Sequence, residues 1–129
     1  MTNKPLTFSF VIAAYNASGH LYKNLNSMKL LDYDRSFYEV VVVDDGSTDG
    51  TKEKLEEIKG INIVYVRTER HGAPHARNIG IEKSKNTVIV FLDSDVILEK
   101  NILKAYSKDF SNKYIDIVQG NVWEQMINT

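Results

Sequence analysis

The segment LDSD, residues 92–95, carries two carboxylates two positions apart, directly after the apolar run VIVF. If the chain stays extended there, Asp93 and Asp95 project to the same side. Carboxylates that close repel unless positive charge stands between them. A hard divalent cation meets that need, since Mg²⁺ or Mn²⁺ suits one or two carboxylates together with phosphate oxygens. The plain structural alternative is that both acids are turn and cap residues opening the next helix. Their place after an apolar strand favours chemistry. A second pair, Asp44 and Asp45, follows the four valines of residues 40–43. A helix start needs one capping acid, so a pair leaves a carboxylate to accept from a nucleobase N–H or a ribose hydroxyl. Ser47, Thr48 and Asp49, next along, are ordinary N-cap side chains, with Gly46 and Gly50 supplying turn freedom.

Tyr15 ends the run FVIAAY and offers a ring on which a base could stack, worth ~1–3 kcal/mol. Core tyrosines are common, so that residue alone says little. The stretch RHGAPHARN, preceded by Arg67, gathers Arg67, Arg70, His71, His75 and Arg77 around one loop and helix start. Cations facing four aspartates suit an anionic ligand such as a diphosphate. His71 and His75 are four apart, a zinc-pair spacing, but Gly72 and Pro74 between them oppose a continuous helix carrying both. Trp123 reads as a packing residue.

These side chains need elements that carry them to one place. Short apolar, β-branched runs at 7–14, 38–45, 61–66, 87–92 and 115–118 read as strands. Between them lie helical spacings. Leu21, Leu25 and Met28 mark one helix. Leu55 and Ile58 mark a second, with Gly60 placed to end it. Ala76, Ile79 and Lys83 mark a third, with Pro74 in its first turn, and Leu98, Ile102, Ala105 and Tyr106 a fourth. Alternating strands and helices predict an α/β fold: an open, mainly parallel sheet with helices on both faces. A strand buried on both sides reads as an unbroken apolar run, which explains the valines. Ligands of such sheets bind outside the carboxyl ends of the strands. Tyr15, Asp44, Asp45, Asp93 and Asp95 all fall at such ends, so the acids are expected to rim a crevice rather than be buried.

Composition narrows the field. With 129 residues the chain is expected to form a single domain, 1–129. Sixteen basic against seventeen acidic residues give a net charge of −1, which gives no electrostatic case for a nucleic-acid partner. Cysteine is absent, so disulfides and thiolate metal sites are excluded. The longest apolar runs are about five residues, against the roughly twenty needed to span a bilayer, and the amino terminus has no signal-peptide pattern. The expected location is cytoplasmic, with membrane association only through a longer parent or a partner.

Taken in order, FVIAAYN, EVVVVDDGSTDGT, GAPHARNIGI and VIVFLDSD resemble the family 2 glycosyltransferases of the Rossmann-like GT-A fold, from Phe8 to about Gly120. The resemblance implies a nucleotide-diphospho-sugar donor, a UDP-sugar on family grounds, bound at the carboxyl edge of the sheet with Mn²⁺ or Mg²⁺. It places Ala13 and Tyr15 at the base-binding strand end and Asp45, with Asp44 beside it, at the uracil-contacting acid. Arg77 and Asn78 match the ARN segment near the donor. Asp93 matches the D-x-D residue near ribose or metal, Ser94 beside it falls in the nucleotide-sugar-binding set, and Asp95 matches the metal ligand reaching the diphosphate. It further implies inverting transfer to an acceptor hydroxyl, as in polysaccharide biosynthesis. Ala13 stands where the family often has proline, and no acid follows YN. Family members continue for roughly as long again, so the chain is expected to lack the acceptor half. Glu99, Asp109, Asp116 and Glu124 match no catalytic base, and none is assigned.

Two other readings stand beside this one. VIVFLDSDV also fits the nucleophile motif of haloacid-dehalogenase-type phosphatases, but only 34 residues follow Asp95, too few for the rest of that machinery. The other is a non-catalytic nucleotide-sugar-binding module, completed by a partner or by self-association through an exposed sheet edge. Sugar, acceptor and linkage are not written in these residues.

Overall fold

The computed structural model describes residues 4–118. Strands β1 (Phe8–Ala14), β2 (Tyr38–Asp44), β3 (Ile63–Arg67) and β4 (Val88–Phe91) form one sheet in the order β3-β2-β1-β4. All three strand pairs are parallel. Helices α1 (Ser18–Ser27), α2 (Thr51–Glu56) and α3 (Ala73–Lys83) connect the strands, and α4 (Ile102–Phe110) follows β4.

The central pair runs in register from Phe8↔Tyr38 to Ala14↔Asp44, and its side chains sort by parity onto two faces. Phe8, Phe10, Ile12, Val40 and Val42 pack with Leu21 and Leu25 of α1, Leu55 of α2 and Leu103 of α4. Val11, Val41 and Val43 pack on the other face with Ala76 of α3. Both faces being covered, Val40 through Val43 are fully buried, each stabilising the fold by about 1.5–3 kcal/mol at most. The thin α3 layer depends on Gly80. A Cβ at that position would sit 2.3 Å from Val11 Cγ1, so only glycine lets the helix lie this close to β1. At the amino-terminal end of the same face Glu39 is buried. Its Oε2 accepts from the Ser9 hydroxyl at 2.6 Å and from the Lys85 N–H at 2.9 Å, tying the α3–β4 turn to the sheet.

Several expectations change. Residues 115–118 are irregular and form no strand, and the described sheet ends at β4. As the edge strand, β4 is only partly covered, and Phe91 is 53% exposed. The second helix stops at Glu56, before Ile58, while Gly60 turns the chain toward β3 with φ of +90°. Leu98 precedes α4 and packs on the core from an irregular segment. Trp123 lies outside the described residues.

Candidate functional site: the carboxyl edge of the sheet

Three strand ends meet at this edge, with β1 between β2 and β4. The loops leaving β1 and β2 are laced together. Asn16 Oδ1 accepts from the Thr48 N–H at 2.8 Å, and the Asn16 N–H donates to Ser47 Oγ at 2.9 Å. Asn16 takes φ of +49°, a left-handed conformation that asparagine tolerates. Asp49 Oδ2 accepts from the Ser18 N–H at 3.0 Å, so it caps α1 and not the helix that follows it. The cap position of α2 is Gly50, without a side-chain bond. The expected capping role of Ser47 and Asp49 is thus redirected to the neighbouring loop, where the N–H groups of Asn16 and Ser18 lie within reach, while Thr48 donates to Asn16 instead.

Asp44 and Asp45 correct the expectation of unburied acids. Asp44 is fully buried, since its carboxylate is enclosed by its own neighbours. Oδ1 accepts from the Ser47 N–H at 2.8 Å, while Oδ2 accepts from the Tyr65 hydroxyl and from Arg67 Nη1 at 3.2 Å. Burial, and then the bond to Asp44, push the Tyr65 phenol up to about 12. Asp45 is 2% exposed and receives the loop that follows β3. Oδ1 accepts from the His71 N–H at 3.0 Å, and Oδ2 from the Gly72 N–H at 2.9 Å and Arg70 Nη1 at 3.3 Å. The Thr68 hydroxyl lies 3.2 Å from Oδ1 and shares its proton with the Glu69 carbonyl. Burial alone would raise the Asp45 carboxyl, but these donors and the Arg70 charge outweigh it and hold it below the usual carboxylate range. Tyr15 stands beside this group, 43% exposed, with the Arg70 guanidinium 3.5 Å from its ring centroid.

On the other side of the β1 end lies a cavity of about 330 Å³, lined by Ala13, His20, Ala73, Arg77, Leu92, Asp93, Ser94 and Asp95. Ala73 and Arg77 come from one face of α3, whose first turn holds Pro74. Asp93 and Asp95 are exposed, as expected, and face a cavity that also carries one guanidinium. The structure therefore collects Ala13, Arg77, Asp93, Ser94 and Asp95 in one cavity. It sets Tyr15 and Asp45 on the opposite flank of β1, and encloses Asp44. Asn78 is exposed on α3 and does not line the cavity.

Sequence reasoning missed His20, Thr68, Arg70 as a partner of Tyr15, and Asn24. Asn24 is buried on α1, and its Nδ2 donates to the Asp93 carbonyl at 3.3 Å. No local pattern marks a polar residue at a buried helical position as the anchor of a distant loop.

Two hard oxygen donors without a third fit a cation whose remaining ligands come from phosphate and water. Among the described residues no group of three or more His, Cys, Asp or Glu is placed to hold a metal by itself. The His71 and His75 rings lie with centroids 4.6 Å apart and tilted 55° to one another, His71 lying before the start of α3. They belong to no such group.

The sequence pattern of glycosyl transferase family 2 matches residues 9–128. The chain belongs to that family. Among its relatives, glycosyltransferase AglE of Haloferax volcanii is 36% identical over 125 residues, which is 95% of this chain and 41% of AglE. Staphylococcus aureus TarS residues 1–349, solved in complex with UDP-GlcNAc, superposes with a TM-score of 0.80 at 26% identity, covering 96% of this chain and 39% of that one. The mannosyltransferase PcManGT from Pyrobaculum calidifontis, in complex with GDP-Man and Mn²⁺, gives a TM-score of 0.74 at 27% identity over 81% of this chain and 32% of its own. The parallel sheet is thus the Rossmann-like GT-A architecture of these family members. The chain thus spans 41% of AglE, 39% of the TarS 1–349 chain and 32% of PcManGT, well under half the length of each.

Proposed function

We propose that this chain forms the donor side of a family 2 glycosyltransferase, binding a nucleotide-diphospho-sugar, with UDP as the nucleotide, across the carboxyl edge of the sheet. One observation carries the reading: a single cavity of about 330 Å³ sets Arg77 against Asp93, Ser94 and Asp95, beside the end of β1. That volume is of the size that holds small ligands. The family relationship and the nucleotide-sugar complexes of TarS and PcManGT support it.

In this reading Tyr15 takes one face of the base, Ala13 borders the donor from the cavity side of β1, and Asp45 accepts the base N–H. Asp44 braces the β2 end through Tyr65 and Arg67. Arg77 supplies positive charge to the diphosphate from α3. Asp93 and Asp95 would hold Mg²⁺ or Mn²⁺, which when bound neutralises charge growing on the departing diphosphate. Sugar moves to an acceptor hydroxyl with inversion. The acceptor, and the carboxylate that deprotonates it, are assigned to no residue of this chain, and residues 1–129 are taken as one donor-binding unit. No described helix is long and apolar enough to cross a membrane, and a cytoplasmic site of action belongs to the same proposal.

Isothermal titration with UDP, with and without Mn²⁺, tests it. Metal-dependent binding that disappears in Asp95→Ala is the expected result. Wild-type, metal-dependent binding in that variant would remove the role given to the acidic pair. Hydrolysis of donor without acceptor would separate a working site from a binding-only module.

A further inference from the structure

We propose that Arg70 is a residue of the base subsite that acts as an internal surrogate for the nucleobase, occupying the base's place until a nucleotide displaces it. The proposal rests on the donor-binding reading above and adds a competitor to it. The Arg70 guanidinium lies 3.5 Å from the centroid of the Tyr15 ring, and its Nη1 donates to Asp45 Oδ2 at 3.3 Å. A planar group stacked on an aromatic ring while giving an N–H to a buried carboxylate also describes a bound base with an imino proton.

The four groups on Asp45 are not equally free to leave. Two are backbone N–H groups, of His71 and Gly72, and the Thr68 hydroxyl hangs from a residue whose own N–H continues the sheet by bonding the Asp44 carbonyl at 2.8 Å. The loop backbone is also held close to Gly46, where a Cβ would come within 3.3 Å of the Arg70 nitrogen. Arg70 alone reaches Asp45 through a long, flexible stem, and its side chain is 57% exposed. It can swing into solvent while the backbone stays in place. The exchange is one donor for another at Oδ2: a guanidinium N–H departs, a base N–H arrives, and the buried carboxylate stays satisfied throughout. Uracil and guanine carry such an imino proton. Cytosine presents a ring-nitrogen lone pair at the corresponding position, which a carboxylate repels.

The test follows the Arg70 side chain by ¹⁵N NMR in the full-length protein, alongside titrations with UDP, CDP and pyrophosphate. In the free protein the Arg70 Nε–H proton should be shielded by the Tyr15 ring, and Tyr15→Ala should abolish that shielding. UDP should return the signal to the position of a solvated arginine, whereas CDP at the same concentration should leave it shielded. Arg70→Ala should bind UDP at least threefold more tightly and pyrophosphate unchanged, since pyrophosphate has no base to compete. Tighter UDP binding without a base-specific signal change, or equal or weaker UDP binding in Arg70→Ala, overturns the proposal. A loss of pyrophosphate binding in that variant makes Arg70 a phosphate contact and overturns it too. If UDP binds neither protein while the ring shielding is present, the donor-binding reading fails and takes displacement with it. Failure of displacement alone is recognised by UDP binding that leaves Arg70 stacked.

Discussion

Asn24 and Asp93, 69 residues apart in the chain, are joined by a hydrogen bond from the Asn24 amide nitrogen to the Asp93 carbonyl at 3.3 Å, with the Ser94 carbonyl at 3.5 Å from the same nitrogen. The amide must face this way, because its oxygen would meet two carbonyls. A fully buried side chain of α1 thereby sets the backbone from which both acids of the LDSD loop project. Asn24→Ala should lower stability by about 1–2 kcal/mol, the cost of losing a part-buried hydrogen bond from a buried amide. In the same variant metal-dependent UDP binding should weaken more than metal-independent binding. Urea unfolding and titration calorimetry read the two effects separately. Equal weakening with and without metal would show that Asn24 serves the fold alone.

Asp93 and Asp95 should behave in the opposite way. Both are exposed, and neither carboxylate has a hydrogen-bond partner among the described residues. Asp93→Asn and Asp95→Asn should therefore change unfolding free energy by no more than about 0.5 kcal/mol. A larger loss would mark these acids as structural.

Gly80 is a packing constraint with a specific partner. Gly80→Ala puts a methyl group 2.3 Å from Val11 Cγ1 and should cost about 1–3 kcal/mol by overpacking. Val11→Ala should recover part of that loss when combined with Gly80→Ala, although alone it leaves a cavity. A double-mutant cycle on melting curves checks the coupling; additive losses would show that α3 moves aside instead.

Acid should weaken the carboxyl edge. Burial opposes ionisation of Asp45, yet His71, Gly72, Thr68 and Arg70 prevail and keep its folded value below the ordinary one. Asp49 is shifted the same way, burial again opposing and Thr51 and Ser18 prevailing. The unfolded chain therefore takes up protons that the folded chain refuses. This stabilisation is complete above about pH 4 and is lost as pH falls through the lower folded values. Urea midpoints measured between about pH 3 and pH 6 should drop at the acid end, and Asp45→Asn should flatten that slope while lowering stability at neutral pH.

The strand runs were readable because a parallel strand covered on both faces has little choice but to be continuously apolar, as Val40–Val43 are. The acids were readable as a group because they follow such runs, although Asp44 and Asp45 are themselves buried. Less was legible where an element lacks a partner. The run at 115–118 has strand composition but no place in the described sheet, and β4 is apolar although one edge of it is open. The four ordered motifs also carried the family, which the match over residues 9–128 bears out.

What sequence could not separate was the duty of four similar aspartates. Composition and spacing determined that Asp44, Asp45, Asp93 and Asp95 gather at one edge of an α/β sheet, because strand polarity brings parallel strand ends to the same side. Only the tertiary structure decided that Asp44 is enclosed by Tyr65 and Arg67, that Asp45 is held by the 68–72 loop, and that Asp93 and Asp95 remain open beside Arg77. The physical reason is that a carboxylate's role depends on which donors reach it. Apart from the Ser47 N–H, those donors come from residues 21 to 27 positions away, brought close only by the packing of β3 and the loop after it against the central pair.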